Sequence, residues 1–294
     1  MAATDRLVVV TASANVERLE HFCDVLRLNA ALGSPAVVAV LQKDARPARL
    51  HRGLIDRHAD YLGVVPAFAR GVELALRTYP QAEVIACLHD DVDVQHRGWD
   101  SLVLGLFDQN PSCGLAGFGG AWGLGDEQAG QGEYRPTWLV RRGFMSNMHE
   151  AEVHGTRVTE ARRIAVLDGF SLIFSRQFLR GFQPRTHLGW NRVYDSCDNV
   201  DATLFHQLQS WGVVHHAYDA AMGAFARQLG WETWLLPLAC RHHGGQTAVG
   251  DAGYAEWAKT QTASGGGDQR FWEEAHSIVW RELGHLLPFE VDRP

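Results

Sequence analysis

Nowhere in its 294 residues does the chain carry a run of the roughly 18–20 apolar residues that a membrane-crossing helix needs. Its apolar runs, such as Leu7 to Val10 near the N-terminus, are too short for a span or for the core of a signal peptide. No integral membrane association is therefore expected. Cysteine is scarce: Cys23, Cys87, Cys113, Cys197 and Cys240 are five in number, odd and widely scattered. They do not suggest a disulfide framework, and a reducing cytoplasm is the expected setting. Positive charge is short as well, with 27 Lys and Arg against 34 Asp and Glu and a net charge of -7. That balance gives no bulk attraction to nucleic acid or to an anionic membrane, and leaves only a local basic groove as a route to such partners.

Several motifs are also missing or fail on spacing. There is no P-loop lysine motif, and Gly117-Phe118-Gly119-Gly120-Ala121-Trp122-Gly123 misses the dinucleotide fingerprint by one position. His149-Glu150-Ala151-Glu152-Val153-His154 is one residue too long for H-E-x-x-H, so its histidines would not share a helix face. Cys240 lies near His242 and His243 but has no second cysteine at zinc-ligand spacing. No internal repeat is present, and Ser264-Gly265-Gly266-Gly267 is the nearest approach to low complexity.

What is present is an ordinary globular composition, 46% hydrophobic and 21% charged, over a length that can bury a sizeable core. One large α/β domain, or one domain with an appendage, fits it. Leu7-Val8-Val9-Val10 is short and β-branched and reads as a buried strand. Leu19, Phe22, Leu26 and Ala30 then recur at spacings of three and four, the pattern of an amphipathic helix. A second strand is expected at Ala36 to Leu41, and Pro66 begins a helix with Phe68, Val72 and Leu76 on one face. Val84-Ile85-Ala86-Cys87-Leu88 is the next strand, and it stops abruptly in acidic residues. This alternation predicts an α/β fold with a central, mostly parallel sheet flanked by helices. Open sheets of that kind bind ligands beyond the carboxyl ends of their strands, where the acidic cluster falls.

The middle of the chain is looser. Gly119 to Arg163 lacks clear periodicity and is expected as an irregular region over the site. Leu204, Leu208 and Trp211 define a helix that starts near Val200 and stops at Gly212. Phe271, Trp272, Ala275, Val279 and Leu283 define another. Its Glu273, Glu274 and Glu282 suit packing on the domain better than lying on a membrane.

Leu88-His89-Asp90-Asp91-Val92-Asp93 holds three carboxylates in four positions, which is costly unless something positive neutralises them. Hard oxygen ligands suit Mg2+ or Mn2+, ions that often keep waters and bridge to substrate phosphates. Side chains alternate along an extended chain, so Asp91 and Asp93 can face one ion together. The plainer alternative is a solvated acidic turn; the hydrophobic strand directly before it favours a site.

Other landmarks fall in order around this segment. Thr11-Ala12-Ser13 ends the first strand, and Asp60-Tyr61-Leu62-Gly63-Val64-Val65-Pro66-Ala67-Phe68 is a glycine-containing turn into a helix. Trp99 follows the acidic segment, then Cys113-Gly114-Leu115-Ala116-Gly117, then Leu167-Asp168-Gly169-Phe170 with Phe178 and Gly181-Phe182 beyond. Asn199-Val200-Asp201 opens the helix that ends in Trp211-Gly212. Together, residues 7 to 246 resemble the GT-A type glycosyltransferases, and within them the large family 2 group, with His89 at the first acidic position of the metal motif. The resemblance implies a GT-A, Rossmann-like domain over 1–246, with a nucleotide-sugar and metal half (1–118) and an acceptor half (119–246). Residues 247–294 would then be a C-terminal loop and helix packed on that domain.

The resemblance also implies an activity: transfer of a sugar from a nucleoside-diphosphate sugar to an acceptor hydroxyl, with inversion. Mn2+ or Mg2+ is expected on Asp91 and Asp93, completed by one of the two histidines in Cys240-Arg241-His242-His243-Gly244-Gly245, with His243 preferred. The donor base and ribose are expected near Ala12 and Asp44, and Asp90 is expected to face the donor sugar or ribose. Asp168, Gly169 and Trp122 are expected on the acceptor side; Trp122 and Trp190 are candidate stacking platforms, although tryptophans of this kind are more often core. Asp195, Asp198 and Asp201 compete for the base, because Val200 replaces the acidic residue usual before it. Asp201 is preferred for its distance to Gly212 and Asp198 comes next, although either also suits a helix N-cap. The acceptor stays open among a glycan, a small metabolite, a protein and a modified nucleobase, since its choice would lie in 119–163 and around Asp168. Two further readings remain. A sugar-phosphate nucleotidyltransferase keeps the fold, but its Gly-rich basic loop is missing from Thr11-Ala12-Ser13-Ala14-Asn15. A non-catalytic sugar-nucleotide or glycan-binding protein is left open by the departure at Val200.

Overall fold

A computed structural model describes residues 5–44, 46–125, 139–148, 155–181, 203–244, 252–262 and 267–291. The chain begins β1 (Leu7–Ser13), α1 (Val16–Asn29), β2 (Ala36–Gln42), β3 (Gly53–His58), α2 (Val64–Thr78) and β4 (Val84–Leu88). Next come β5 (Val92–Val94), α3 (Trp99–Gln109), β6 (Cys113–Gly117), β7 (Gly119–Leu124) and β8 (Arg141–Ser146). β9 (Arg162–Ile164), β10 (Val166–Leu167), β11 (Ser171–Ser175), α4 (Arg176–Gly181), α5 (Thr203–Trp211) and α6 (Tyr218–Gln228) follow. The last elements are β12 (Glu232–Leu235), β13 (Cys240–His242), α7 (Ala252–Thr260), α8 (Gly267–Leu283) and β14 (Phe289–Glu290).

Eight strands form the main sheet in the order β3-β2-β1-β4-β11-β6-β12-β9. β3, β2, β1 and β4 run parallel, and β11 reverses against both β4 and β6. The fold is thus mixed α/β around a mostly parallel central sheet. β1 shows why its sequence is apolar without alternation: Val8 and Val10 join one buried layer with Phe68 and Val72, while Leu7 and Val9 join the opposite layer with Phe22, Leu26 and Trp99. A strand covered on both faces has no solvent side to mark. Each such side chain is worth about 1.5–3 kcal/mol on full burial.

The helices that frame the site are fixed at their starts. Asn15 caps α1, its side chain accepting from the Arg18 N–H at 3.0 Å, and Asp44 accepts the Val16 N–H at 3.0 Å. Both satisfy donors that a first turn leaves without helical partners. α2 starts after Gly63, whose φ of 88° and closeness to the Val214 carbonyl (2.5 Å from an added Cβ) leave room for glycine alone.

Two parts depart from the sequence reading. β3 is a half-exposed edge strand carrying Asp56, Arg57 and His58, and it lacks an apolar face to signal it. Residues 119–124 and 141–146, expected as irregular, pair as antiparallel strands in a second sheet of order β10-β7-β14, with β8 on β7. Glycine hides the pattern there: a Cβ on Gly120 would lie 2.3 Å from the Val166 carbonyl, and one on Gly119 2.9 Å from Phe170. β14 brings the C-terminal residues into this same sheet, with Phe289 opposite Leu124. Cys23, Cys87, Cys113 and Cys240 are buried free thiols. Among the described residues no helix is long and apolar enough to cross a membrane.

Candidate metal centre and adjoining cavity

β4 ends at Leu88 between β1 and β11, and the chain turns through His89, Asp90 and Asp91 into β5. The turn is pinned from two sides: the His89 N–H donates to the Phe170 carbonyl at 3.0 Å, and the His243 N–H donates to the Asp91 carbonyl at 2.8 Å. β13 pairs antiparallel with β5, setting His242 opposite Val92 and Arg241 opposite Asp93. That register carries residues 240–243 to the acidic turn. His242 Nε2 comes within 3.4 Å of Asp91 Oδ1, and His89 Nδ1 within 3.9 Å of the same oxygen. His89, Asp91 and His242 each present one ligand atom, all within 4.8 Å of one another.

Asp91 Oδ1 is buried and accepts no hydrogen bond among the described residues. An acceptor left so is costly, and a cation between these three groups would relieve it. Burial alone would raise the Asp91 carboxyl, but His242, His89 and Arg18 outweigh it and hold the group well below the usual carboxylate range. Burial pushes His89 below the usual histidine range, which favours the neutral ring that a metal ligand must be. The Phe170 ring stacks on His242 with centroids 4.8 Å apart and fixes its plane.

The other acidic residues take separate places. Asp93 and His243 pair with each other, Oδ2 to Nε2 at 3.0 Å, and Asp93 Oδ1 meets His21 Nε2 at 3.0 Å. Asp90 turns inward, where Ser13 Oγ donates to it at 2.5 Å and Arg18 Nε at 2.7 Å. Burial pushes its carboxyl up to about 6 even against Arg18 and Ser13. Asp44 lies past the carboxyl end of β2, held below the usual range by Arg46 and by the Val16 and Arg46 N–H groups. Ala12, half-buried near the end of β1, stands beside Val40.

A cavity of about 660 Å³ is lined by His89 and His242 of this three-residue cluster. Its floor carries Asp168, Gly169 and Phe170, from the segment between β10 and β11. Arg141 Nη1 reaches Asp168 at 3.1 Å, and its other terminal nitrogen pairs with Asp219. Burial opposes that guanidinium's charge, and Asp219 and Asp168 more than restore it. Asp219 also accepts the Gly169 and Ala220 N–H groups at 3.1 and 2.7 Å. Tyr218 donates its hydroxyl to the Gly169 carbonyl at 2.9 Å and lies 2.8 Å from His89 Nε2. Burial, with Asp219 and Asp168 adding to it, raises its phenol well above the usual range, so it stays protonated. The far wall is aromatic and imidazole, with Tyr254, Trp272, His215 and His276.

The cavity therefore gathers Asp168 and Gly169 but not Trp122, which sits on β7 with the Arg142 guanidinium 5.3 Å from its ring. Asp195, Asp198, Asp201 and Trp190 lie outside the described residues. Sequence reasoning passed over His89 as a ligand although it noted a histidine at the motif's first position. Arg141, Tyr218 and Asp219 gave no signal at all, since only the fold brings their segments together.

No family model matches the chain, and no curated protein matches it. Among solved structures it is similar to the mannosyltransferase PcManGT from Pyrobaculum calidifontis, in complex with GDP-Man and Mn2+. That match has 14% identity and a TM-score of 0.43, covering 96% of this chain and 70% of that one. The protein A197 from STIV matches at 14% identity and a TM-score of 0.38, over 81% of this chain and 85% of that one. CMP:2-keto-3-deoxy-manno-octonic acid synthetase complexed with CTP matches at 14% identity and a TM-score of 0.29, over 40% of this chain and 53% of that one.

Proposed function

We propose that the chain is a divalent-metal-dependent glycosyltransferase that moves a sugar from a nucleoside-diphosphate sugar to an acceptor hydroxyl, with inversion at the anomeric carbon. One observation carries this reading: the cluster of His89, Asp91 and His242 stands at the carboxyl end of β4 and borders a cavity of about 660 Å³. That is the end of an open sheet where ligands bind, and the volume lies in the range of small-molecule sites. Mn2+ or Mg2+ held there would supply charge neutralisation on a diphosphate as the sugar–phosphate bond breaks.

The chain's own groups have distinct parts. Asp91 contributes the negative charge of the ligand set, and His89 and His242 contribute lone pairs from oriented rings. The donor base and ribose lie past the carboxyl ends of β1 and β2, beside Ala12 and Asp44, and Asp90 braces that edge through Ser13 and Arg18. Arg141, fixed between Asp168 and Asp219, gives the cavity floor a set dipole without a loose positive charge. Asp168 and Gly169 border the acceptor. Asp201, with Asp198 as the alternative, removes the proton of the acceptor hydroxyl from hydrogen-bond reach, about 2.6–3.2 Å between heavy atoms.

Thermal-shift measurements with nucleotide sugars, with and without Mn2+, test donor and metal together. The expected result is a Mn2+-dependent rise in melting temperature that Asp91→Ala removes. Donor binding that ignores the metal would sink the metal assignment. In transfer assays Asp201→Asn should retain donor binding and lose at least about 100-fold in turnover, within the range for a general base. Full turnover in that variant would sink the base assignment.

A further inference from the structure

We propose that Tyr218 is a positioning residue for the metal centre: it holds His89 in the tautomer protonated at Nε2, so that the bare Nδ1 faces Asp91. This rests on the metal-binding reading of His89, Asp91 and His242. A phenol has one proton to give. Tyr218 gives it to the Gly169 carbonyl at 2.9 Å, while its oxygen also lies 2.8 Å from His89 Nε2. That second contact is a hydrogen bond only when Nε2–H is the donor and the phenol oxygen accepts. A neutral imidazole carries one N–H, so Nδ1 keeps its lone pair.

Nδ1 is the nitrogen 3.9 Å from Asp91 Oδ1, and that oxygen has no hydrogen-bond donor among the described residues. In the opposite tautomer an Nδ1–H would turn toward the carboxylate and occupy the place of a cation. Outer partners of this kind decide which ring nitrogen ligates and raise its basicity. The surroundings keep the chain of contacts in place. Phe68 packs beside both rings, with centroids 6.2 Å from His89 and 6.4 Å from Tyr218, an apolar flank that offers neither ring another polar partner. Position 169 must be glycine for the hydroxyl to reach the carbonyl, since a Cβ there would lie 2.5 Å from the Tyr218 oxygen.

Two measurements decide the matter. In metal-free wild-type protein labelled with 15N-histidine, two-bond nitrogen–proton correlations should show His89 protonated at Nε2; an Nδ1–H form as the major species overturns the proposal. In calorimetric titration with Mn2+, Tyr218→Phe should weaken binding by about 10–100-fold, the usual cost of losing an outer-shell partner. Pulsed EPR of the Mn2+-loaded wild type should show two coordinated imidazole nitrogens, and His89→Gln should leave one. Unchanged Mn2+ affinity in a folded Tyr218→Phe protein overturns the positioning role alone. No Mn2+ binding by the wild type overturns the metal reading beneath it.

Discussion

His89 changes the character of the acidic turn. Three carboxylates in four positions read as a site with two carboxylates, Asp91 and Asp93, and a single late histidine, suited to Mg2+ or Mn2+. The folded chain instead gathers two imidazoles and one carboxylate, with Asp90 and Asp93 committed to Ser13, Arg18, His21 and His243. Imidazole nitrogen suits transition-metal ions, whereas Mg2+ demands oxygens and holds its waters. Competition calorimetry should therefore show Mn2+ bound at least about ten-fold more tightly than Mg2+, with Zn2+ tighter still. Equal affinities for Mn2+ and Mg2+ would count against His89 and His242 as ligands. At this scale the sequence marked Asp91 as a candidate, because an acidic cluster following a buried strand favours a site over the plainer solvated turn. Between the two late histidines it preferred His243, whereas the fold brings His242 to Asp91 and His243 to Asp93. Consecutive residues on an extended strand face opposite ways, so which imidazole meets Asp91 depends on the register of β13 on β5, which sets His242 opposite Val92.

Register and packing likewise separate the elements that were legible from those that were not. β1, α1, β2, α2 and β4 follow from apolar runs and helical spacing because each presents a continuous buried face. β7 does not, since Gly119, Gly120 and Gly123 empty half of its 6 positions and break the alternation. Its glycines are set by close backbone approach, which predicts a contrast. Gly120→Ala should destabilise the fold by about 1–3 kcal/mol, the usual range for an overpacked site, because its Cβ would meet the Val166 carbonyl at 2.3 Å and the Ile164 side chain at 2.5 Å. Gly105→Ala, inside α3 with its nearest neighbour 3.9 Å from the added Cβ, should stabilise by up to about 1 kcal/mol through helix propensity. Urea denaturation of the two variants checks both signs. A neutral result at Gly120 would mean that β7 and β10 separate easily, contrary to the tight pairing of Ala121 with Val166 and Gly120 with Leu167.

Across the whole molecule, the C-terminal residues close the cavity that the N-terminal half begins. α8 buries Phe271, Ala275, Val279 and Leu283, and α7 and α8 supply Tyr254, Trp272 and His276 to the cavity wall. His215 is the junction: its ring lies 5.1 Å from Tyr254, 5.7 Å from Trp257 and 6.1 Å from Phe271. Burial, followed by His216 and His89, pushes His215 well below the usual histidine range, and burial also lowers His276. Nearby Asp268 takes the Tyr254 hydroxyl at 2.8 Å and meets His216 Nε2 at 3.0 Å. Both imidazoles hold a proton less readily when folded than in the unfolded chain, where they titrate near the ordinary value of about 6.5. Below that pH the unfolded state takes up protons that the folded state refuses, so stability rises with pH through this window. The contribution is complete above about 6.5 and is lost as pH falls toward the folded values. Urea midpoints should thus drop between pH 7 and pH 5, and His215→Phe, which keeps a ring in the aromatic box, should flatten that slope. Hydrogen exchange over residues 252–283 should quicken at pH 5 in the wild type and less so in the variant, because protonating His215 loosens α7 and α8 before the central sheet. An unchanged slope in His215→Phe would place the acid sensitivity elsewhere in the molecule.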